Sequence, residues 1–448
     1  MGTFDSLNIG LSALYAQRRA IDVAGQNIAN VNTDGYSRQR AELTAASSGT
    51  QPALFSRYEG TGQGVRSVDV QRIRDQFLEG RAHDEHGTQA YLSRLQTTMG
   101  RVELGFAEPS DTGLAAQLSD FWAGWDDVGL NPDDSAARSQ LIERAGTLTA
   151  SFQQIDGGLS SLASSSVEQL RAVVQDANAV AGRIAALNGS IQAATQSGLS
   201  PNDLMDQRDK LVLQLSSSIG ATIRTGDDGS VDVYVGAMAL VRRTSAEPLD
   251  VAVGPGPLNA VSVTWPNAGL TADVGGDALG LVETNNVIVP DQRTQLSAVA
   301  NQLMTDVNTI HATGFDQNGN PGQPFFVMGA NGLQVNPTVA ANPRLVAASG
   351  TAGAVDGSIA QQLATQTGPD TLYRQNIVTL GVASQTINRR VEVQGTIVQQ
   401  LDQARESEAG VNLDEEMTSL VAFQTAYSAA ARFVTTVDDM MDDLLRMV

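Results

Sequence analysis

The side chains best suited to chemistry in this sequence are its three histidines, His83, His86 and His311. His83 and His86 are three positions apart, so on a helix they share one face, with two carboxylates between them. That spacing can bind zinc. No third ligand is identifiable in the sequence. The pattern therefore favours a solvated helix face, and the alternative is a metal-dependent enzyme centred on these two imidazoles.

Two glycine-containing loops resemble ligand-binding motifs only in part. Residues 316–322 are similar to the start of a calcium loop, but Val327 stands where that loop needs a bidentate glutamate. A tight turn is the better interpretation. Residues 60–64 carry three alternating glycines, but they precede an expected strand and do not open a helix, as a dinucleotide site requires. The chain has no cysteine, so thiolate chemistry is excluded. We therefore predict no catalytic residue, no metal and no cofactor, and a protein that is not an enzyme.

Length and charge narrow the class of protein further. A chain of 448 residues suggests about three domains, and 42% apolar residues supply enough surface for their cores. The net charge of −21 opposes binding to nucleic acid and to anionic membrane surfaces. No run of 18 apolar residues is present, and residues 1–14 lack the features of a cleaved secretory signal. These observations predict neither nucleic-acid binding nor membrane insertion.

The two ends of the chain carry apolar residues at intervals of seven, the period of a narrow stripe on a helix. The N-terminal stripe predicts a helix over 4–31 that ends near the turn-forming residues 32–35. The C-terminal stripe predicts a helix over about 413–448, capped by Asn412. The stripe residues, with their companions one turn away, are Leu7, Leu11, Leu14, Ile21, Ile28, Leu413, Leu420, Phe423, Tyr427, Val434, Val437, Met441 and Leu444.

Pairing the two stripes is the economical way to bury both, so the ends of the chain are expected to form one coiled-coil-like domain. Even paired, two thin stripes leave no large core to offset the entropy of ordering long helices. We therefore expect these helices to be marginal in the free monomer and to become ordered on packing against other copies or another partner. The stripe residues are thus predicted to form an assembly interface.

The sequence between the ends predicts a mainly α protein with a β insertion. Helices are expected at 73–105, 112–130, 134–197 with a weak point at 157–158, 203–218, 291–312 and 370–408. Residues 219–283 alternate β-branched and polar residues between glycine-rich turns, which predicts strands. The expected domains are an axial helical domain of 1–35 with 411–448, a helical body of 36–218 with 284–410, and a small inserted β domain of 219–283.

Residues 26–36, here called the signature segment, closely resemble a motif shared by flagellar rod, hook and hook-associated proteins. The matching residues are Asn27, Asn30, Thr33, Gly35 and Tyr36. Residues 411–438 resemble the corresponding C-terminal motif of that family. Tyr36-Ser37-Arg38-Gln39, residues 70–78, residues 201–209 and residues 314–326 are similar to the hook-associated members. The β insertion is short for that group, and residues 284–286 depart from its usual basic–acidic pair.

This resemblance implies a structural subunit of the bacterial flagellum. Family members leave the cell through the flagellar export apparatus without a cleaved signal and polymerise in a ring at the hook–filament junction. Their implied partners are further copies of the same chain, the hook subunit, a second hook-associated junction protein, and an export chaperone on the C-terminal helix. Two alternatives remain at this point: another axial protein such as the hook subunit, and a cytoplasmic coiled-coil scaffold.

Overall fold

The computed structural model describes residues 3–46, 64–226, 229–255 and 260–446. The α-helices are α1 (Thr3–Ala29), α2 (Gln76–Phe106), α3 (Leu114–Leu130), α4 (Ser135–Gln196), α5 (Asn202–Ile219), α6 (Gly276–Glu283), α7 (Val289–His311), α8 (Pro337–Ala341), α9 (Ser358–Ala364), α10 (Gly368–Ala409) and α11 (Leu413–Arg446). A π-helical turn spans Thr284–Ile288, and a 3-10 turn spans Pro343–Leu345. The mainly α class with a β-rich insertion is confirmed.

The strands form small antiparallel sheets. They are β1 (Gln39–Ala45), β2 (Val65–Arg72), β3 (Thr222–Thr225), β4 (Val231–Val235), β5 (Met238–Arg242), β6 (Ser245–Ala246), β7 (Asp250–Val253), β8 (Val261–Trp265), β9 (Leu270–Thr271), β10 (Phe326–Gly329) and β11 (Gly332–Val335). β1 pairs with β2 and β10 with β11, while β3 to β6 and β7 to β9 form two meanders in chain order. The glycines at 60–64 lie outside the described residues except for Gly64, which directly precedes β2.

The chain separates into two compact units. The terminal unit comprises Met1–Gly87, Ala177–Pro248 and Gly395–Val448, and the central unit comprises Thr88–Asp176 and Leu249–Gln394. Their boundaries fall within α2, α4 and α10 and between β6 and β7. The β-rich region is therefore divided, with β3 to β6 in the terminal unit and β7 to β9 in the central unit. The composition shifts at 219 and 283 mark changes of secondary structure. A separate axial domain, formed by 1–35 with 411–448, stays a prediction.

Local differences from the predicted elements have simple causes. Residues 276–283 are helical as α6, because the alternation of β-branched residues already stops at Val274. In α4 the helix continues unbroken through Gly157 and Gly158, since a long helix tolerates glycine at a cost of about 1 kcal/mol each. In the π-helical turn Asn286 exchanges two hydrogen bonds with the backbone of Val261, each 2.8 Å long. The departure at 284–286 thus fixes the start of β8.

The core of the central unit explains the role of His311, the third histidine of the sequence. His311 is fully buried beside Trp125 and Phe325. Its Nδ1 bonds the carbonyl of Gln323 at 2.6 Å, and its Nε2 accepts from the amide of Ala347 at 2.8 Å. Burial lowers the pKa of His311 to about 4, so the imidazole is neutral and structural.

The segment that resembles a calcium loop is a tight turn. One carboxylate oxygen of Asp316 accepts from the amides of Asn318 and Asn320, both at 2.8 Å, and Gly319 has a φ of +78°. The carboxylate is thus engaged by its own backbone. Across the described part of the chain, no helix combines the length and the apolar character needed to cross a membrane.

Candidate assembly site on the paired terminal helices

Helices α1 and α11 pack side by side in the terminal unit and run antiparallel. At one end Asn27 Nδ2 donates to Glu416 Oε2 at 3.0 Å. Toward the other end Gly10 lies against Val434 and Phe433 so closely that any side chain at position 10 would clash. The end of α1 therefore lies beside the start of α11, and the start of α1 lies beside the end of α11. The predicted pairing of the two ends is confirmed.

The two helices use different kinds of face in this contact. On α11 the buried positions are Glu416 and Val437, three heptads apart and 4% and 2% exposed, and the heptad positions between them, Phe423 and Ala430, are half-buried. On α1 the buried apolar side chains are Ala16, Ala20, Val23 and Ala24, three of which are small. The larger N-terminal stripe lies to one side of that face. A spacing of four between alanines is the sequence signal for the buried face, and it is weaker than the apolar heptad of the same helix.

The predicted interface residues differ in how much of each is covered within one chain. Val437 is buried, whereas Leu11, Leu413 and Tyr427 are exposed at 37%, 45% and 39%. The half-buried members are Leu7, Leu14, Ile21, Ile28, Leu420, Phe423, Val434 and Met441. The side chain of Leu444 lies outside the described residues. The chain thus covers these stripes incompletely, and their use between copies stays a prediction.

Exposed apolar residues beyond the predicted stripes enlarge this surface. Tyr15 on α1 is 71% exposed, and Met417, Val421, Phe433 and Met440 on α11 are each 45% to 56% exposed. Their spacing is that of neighbouring helix turns, but they lie off the heptad lines, so a repeat of seven does not predict them. Both helices of the pair therefore present apolar side chains to solvent.

Asn27 of the signature segment is the centre of a fully satisfied hydrogen-bond site. It is 1% exposed, and its Nδ2 donates to Glu416 and to the carbonyl of Gln39 at 2.8 Å. Its Oδ1 accepts from the amide of Gln39 at 3.0 Å and from the hydroxyl of Tyr36 at 2.9 Å. One side chain thus ties the end of α1 to β1 and to the first turn of α11.

The other signature residues shape the turn that follows α1. Asn30 Nδ2 donates to the carbonyl of Gln26 at 3.0 Å, and Thr33 Oγ1 donates to Asn30 Oδ1 at 3.1 Å. Gly35 has a φ of +83°, a conformation that favours glycine. Burial, together with the carboxylates of Asp203, Asp206 and Glu416, raises the pKa of Tyr36, so its hydroxyl stays protonated and donates to Asn27. The signature segment is therefore a structural joint.

Arg38 clamps the start of α11 to this joint. Its Nε donates to Glu416 Oε1 at 2.7 Å, and its guanidinium also reaches Glu415 at 2.9 Å. Its backbone amide donates to the carbonyl of Ala409, the last residue of α10, at 2.8 Å. Glu416 is 4% exposed, and Arg38 and Asn27 each bind one of its oxygens. The buried charge is thus paired and hydrogen-bonded, as a buried carboxylate requires.

A second cluster of charges, on α5, holds β1 and β2 in place. Asp206 accepts from the amide and hydroxyl of Ser37 at 3.1 and 2.9 Å and from Arg72 at 2.8 Å. Asp209 pairs with Arg72 at 2.8 Å and with Arg74. Although burial by itself raises the pKa of Asp209, the guanidiniums of Arg74, Arg72 and Arg208 hold it below its usual range. Asp209 is therefore ionised, and its negative charge stabilises the three neighbouring guanidiniums.

The two nearby histidines do not converge on a common site. His86 Nε2 lies 3.1 Å from a carboxylate oxygen of Asp402, while His83 is buried and its Nδ1 has no hydrogen-bond partner within the described residues. Burial lowers the pKa of His83. Among the residues that the structure describes, no group of three or more histidine, aspartate or glutamate side chains is arranged to hold a metal ion.

Comparison with protein families agrees with this arrangement at both ends. Residues 7–36 match the model for flagella basal body rod proteins, and residues 402–447 match the model for the C-terminal region of flagellar basal body rod FlgEFG proteins. These matches cover the signature segment and α11. The paired helices are thus those of a flagellar axial protein.

The middle of the chain distinguishes among the axial proteins. Residues 99–326, half of the chain, match the flagellar hook-associated protein FlgK helical domain. The chain belongs to this family of flagellar hook-associated proteins. It is therefore a structural component of the flagellum and not an enzyme. The match in the body also separates it from the hook subunit, one of the two alternatives that the sequence leaves open.

Individual relatives agree with the family models. Flagellar hook-associated protein 1 of Bacillus subtilis is 28% identical over 99% of this chain and 98% of its own length. The protein of the same name from Escherichia coli is 27% identical over 72% of this chain, and the match spans 60% of that relative. The solved structure of the flagellar hook junction protein FlgK from Burkholderia pseudomallei matches with a TM-score of 0.50 and 26% identity, over 56% of this chain and 47% of the other.

Proposed function

We propose that this chain is a structural subunit of the hook–filament junction and joins a ring of copies of itself through the α1–α11 pair. The observation that carries the proposal is that a dense polar joint fixes this pair at one end while both helices leave apolar side chains exposed. Exposed apolar surface of this kind is typical of a protein interface. The similarity to the Burkholderia hook junction protein supports this location.

The same surface supports the proposed partners. In the flagellum the hook subunit and a second hook-associated protein are the expected neighbours of the ring, and they would meet copies of the same terminal helices. Before assembly, an export chaperone on α11 would cover residues such as Met417 and Val421, which are 51% and 56% exposed. Transport through the flagellar export apparatus completes the proposal.

Order on assembly is part of this proposed mechanism. Asn27 and Glu416 join α1 and α11 by a buried hydrogen bond, whereas toward the far end of the pair Gly10 packs against the apolar side chains of Val434 and Phe433. We infer that the helices are anchored at the joint in the monomer and become fully ordered when neighbouring copies cover the exposed faces. Burial of those faces supplies the stabilisation that a two-helix contact lacks.

A charged residue on the half-buried stripe is expected to block assembly without unfolding the chain. Leu420→Asp places a carboxylate where the proposed contact is apolar, so filaments are expected to be lost while hooks remain. Filaments per cell are counted by electron microscopy after replacement of the native gene, and circular dichroism checks the purified variant. The matched control is Gln424→Asp, one turn away and already exposed, which should assemble normally. Normal filaments with Leu420→Asp would refute this use of the stripe.

A further inference from the structure

Two exposed rows of side chains on the terminal helices match one another in spacing and chemistry. On α1 the row is Leu11, Tyr15 and Arg18, at intervals of four and three residues. On α11 the row is Val421, Met417 and Asp414, which read backwards has the same intervals of four and three. Residues at these intervals lie on one face of a helix, on successive turns. The two rows therefore fit each other when the helices run antiparallel.

Within one chain these rows cannot meet. The contact of Asn27 with Glu416 and of Gly10 with Val434 sets the register, which places Tyr15 level with residue 428. Met417 lies roughly eleven residues closer to the start of α11 than residue 428, an axial distance of about 17 Å. The apolar members of both rows are also exposed, Tyr15 at 71% and Met417 at 51%. Each row is thus available to another molecule.

The charged members of the rows are complementary and lack other partners. Arg18 and Asp414 are both exposed, and neither side chain has an ion-pair or hydrogen-bond partner within the described residues. In the matched arrangement Arg18 faces Asp414, Tyr15 faces Met417 and Leu11 faces Val421. Such an arrangement pairs opposite charges and buries four apolar side chains, whereas a shift by one residue would turn one row away.

We propose that a second copy of this chain docks the Leu11–Tyr15–Arg18 row of its α1 on the Val421–Met417–Asp414 row of α11, with an axial stagger of about 17 Å between neighbours. This inference rests on the proposed function, because it assigns residues and register to contacts between copies. The apolar pairs supply the buried area. The Arg18–Asp414 pair selects the register, as charge complementarity at an interface does.

Disulfide trapping tests the register directly, because the chain contains no cysteine of its own. In the doubly substituted chain Tyr15→Cys/Met417→Cys, mild oxidation of assembled flagella should produce a ladder of covalently linked copies that reductant collapses. The separation of about 17 Å within one chain exceeds the reach of a disulfide, so the dilute monomer should give no bond. The matched control Tyr15→Cys/Asp439→Cys, also exposed on both helices, should give no ladder.

A second experiment exchanges the two charged residues of the proposed contact. Arg18→Asp and Asp414→Arg, each alone, should reduce the number of filaments about tenfold through like-charge contact, and the double exchange should restore it. Filaments that form without any ladder, or with an equal ladder in the control, would overturn the register while leaving the proposed function intact. Absence of the unsubstituted chain from hook–filament junctions would instead refute the proposed function.

Discussion

Replacing Asp209 by asparagine is expected to lower the free energy of unfolding of the terminal unit by about 3–5 kcal/mol. The carboxylate is buried between Arg72, Arg74 and Arg208, and Asp209 is the residue that pairs with more than one of them. An amide of the same shape keeps the volume but removes one of the carboxylates, so the three buried guanidiniums are left with only the charges of Asp206 and Glu79 among the ion pairs of the described residues. The change therefore removes one partner of a buried network, which is the costly case.

Chemical denaturation of the full chain, followed by circular dichroism, measures this effect. The matched control is Asp34→Asn, which breaks the pair with Lys210 at positions that are 86% and 58% exposed. That exposed pair should contribute no more than about 1 kcal/mol. Equal midpoints for the two variants would contradict the account of the α5 cluster.

The pKa of Asp209 also fixes the direction of a pH effect. Since its pKa is lower in the folded chain than in the unfolded chain, its contribution is fully present above the unfolded value of about 3.9. It is lost as the pH falls through the lower folded value. The Asp209→Asn variant should lack this component of the acid transition.

The second large effect is expected at Asn27. In Asn27→Ala the amide of Gln39, the hydroxyl of Tyr36 and one oxygen of Glu416 lose their partner in a buried site. Each unsatisfied buried group costs about 1–3 kcal/mol, so we expect a loss of about 3–5 kcal/mol in the stability of the joint. The first turn of α11 should detach from α1, because the hydrogen bond from Asn27 to Glu416 joins the two helices directly.

Asn30 offers a control for this variant within the same signature segment. Within the described part of the chain its side chain bonds only the nearby residues Gln26 and Thr33, at solvent-accessible positions. Asn30→Ala should therefore change the stability by no more than about 1 kcal/mol. Thermal unfolding of both variants and of the parent chain checks the difference. A loss as large in Asn30→Ala as in Asn27→Ala would mean that the joint is organised differently.

Helices whose limits depend on nearby residues could be predicted from the sequence. The C-terminal helix was expected from residue 413 onward with Asn412 as its cap, and α11 begins at Leu413 with the Asn412 side chain accepting from the amide of Asp414 at 3.0 Å. The extent of α10, α5 and α3 also follows from periodicity and from flanking turn residues. In these segments the local pattern and the tertiary structure agree.

The features that were missed depend on contacts between distant parts of the sequence. Nothing local marks Glu416 as the partner of both Asn27 and Arg38, because the residues are nearly 400 positions apart. The alanine face of α1 has little hydrophobic signal, and its burial follows from the packing of α1 against α11, β1 and β2. The division of 219–283 between two units likewise follows from packing, since both halves have the same strand-like composition.

The central claim is that the paired terminal helices form the assembly surface and become fully ordered there. Hydrogen–deuterium exchange over α11, compared between the dilute monomer and isolated hook–filament junctions, tests it most directly. In the monomer we expect protection near residues 415–420, which the joint anchors, and rapid exchange over 425–441. In the assembled state protection should extend along the whole helix. Strong protection of 415–445 in the dilute monomer, unchanged on assembly, would contradict the claim.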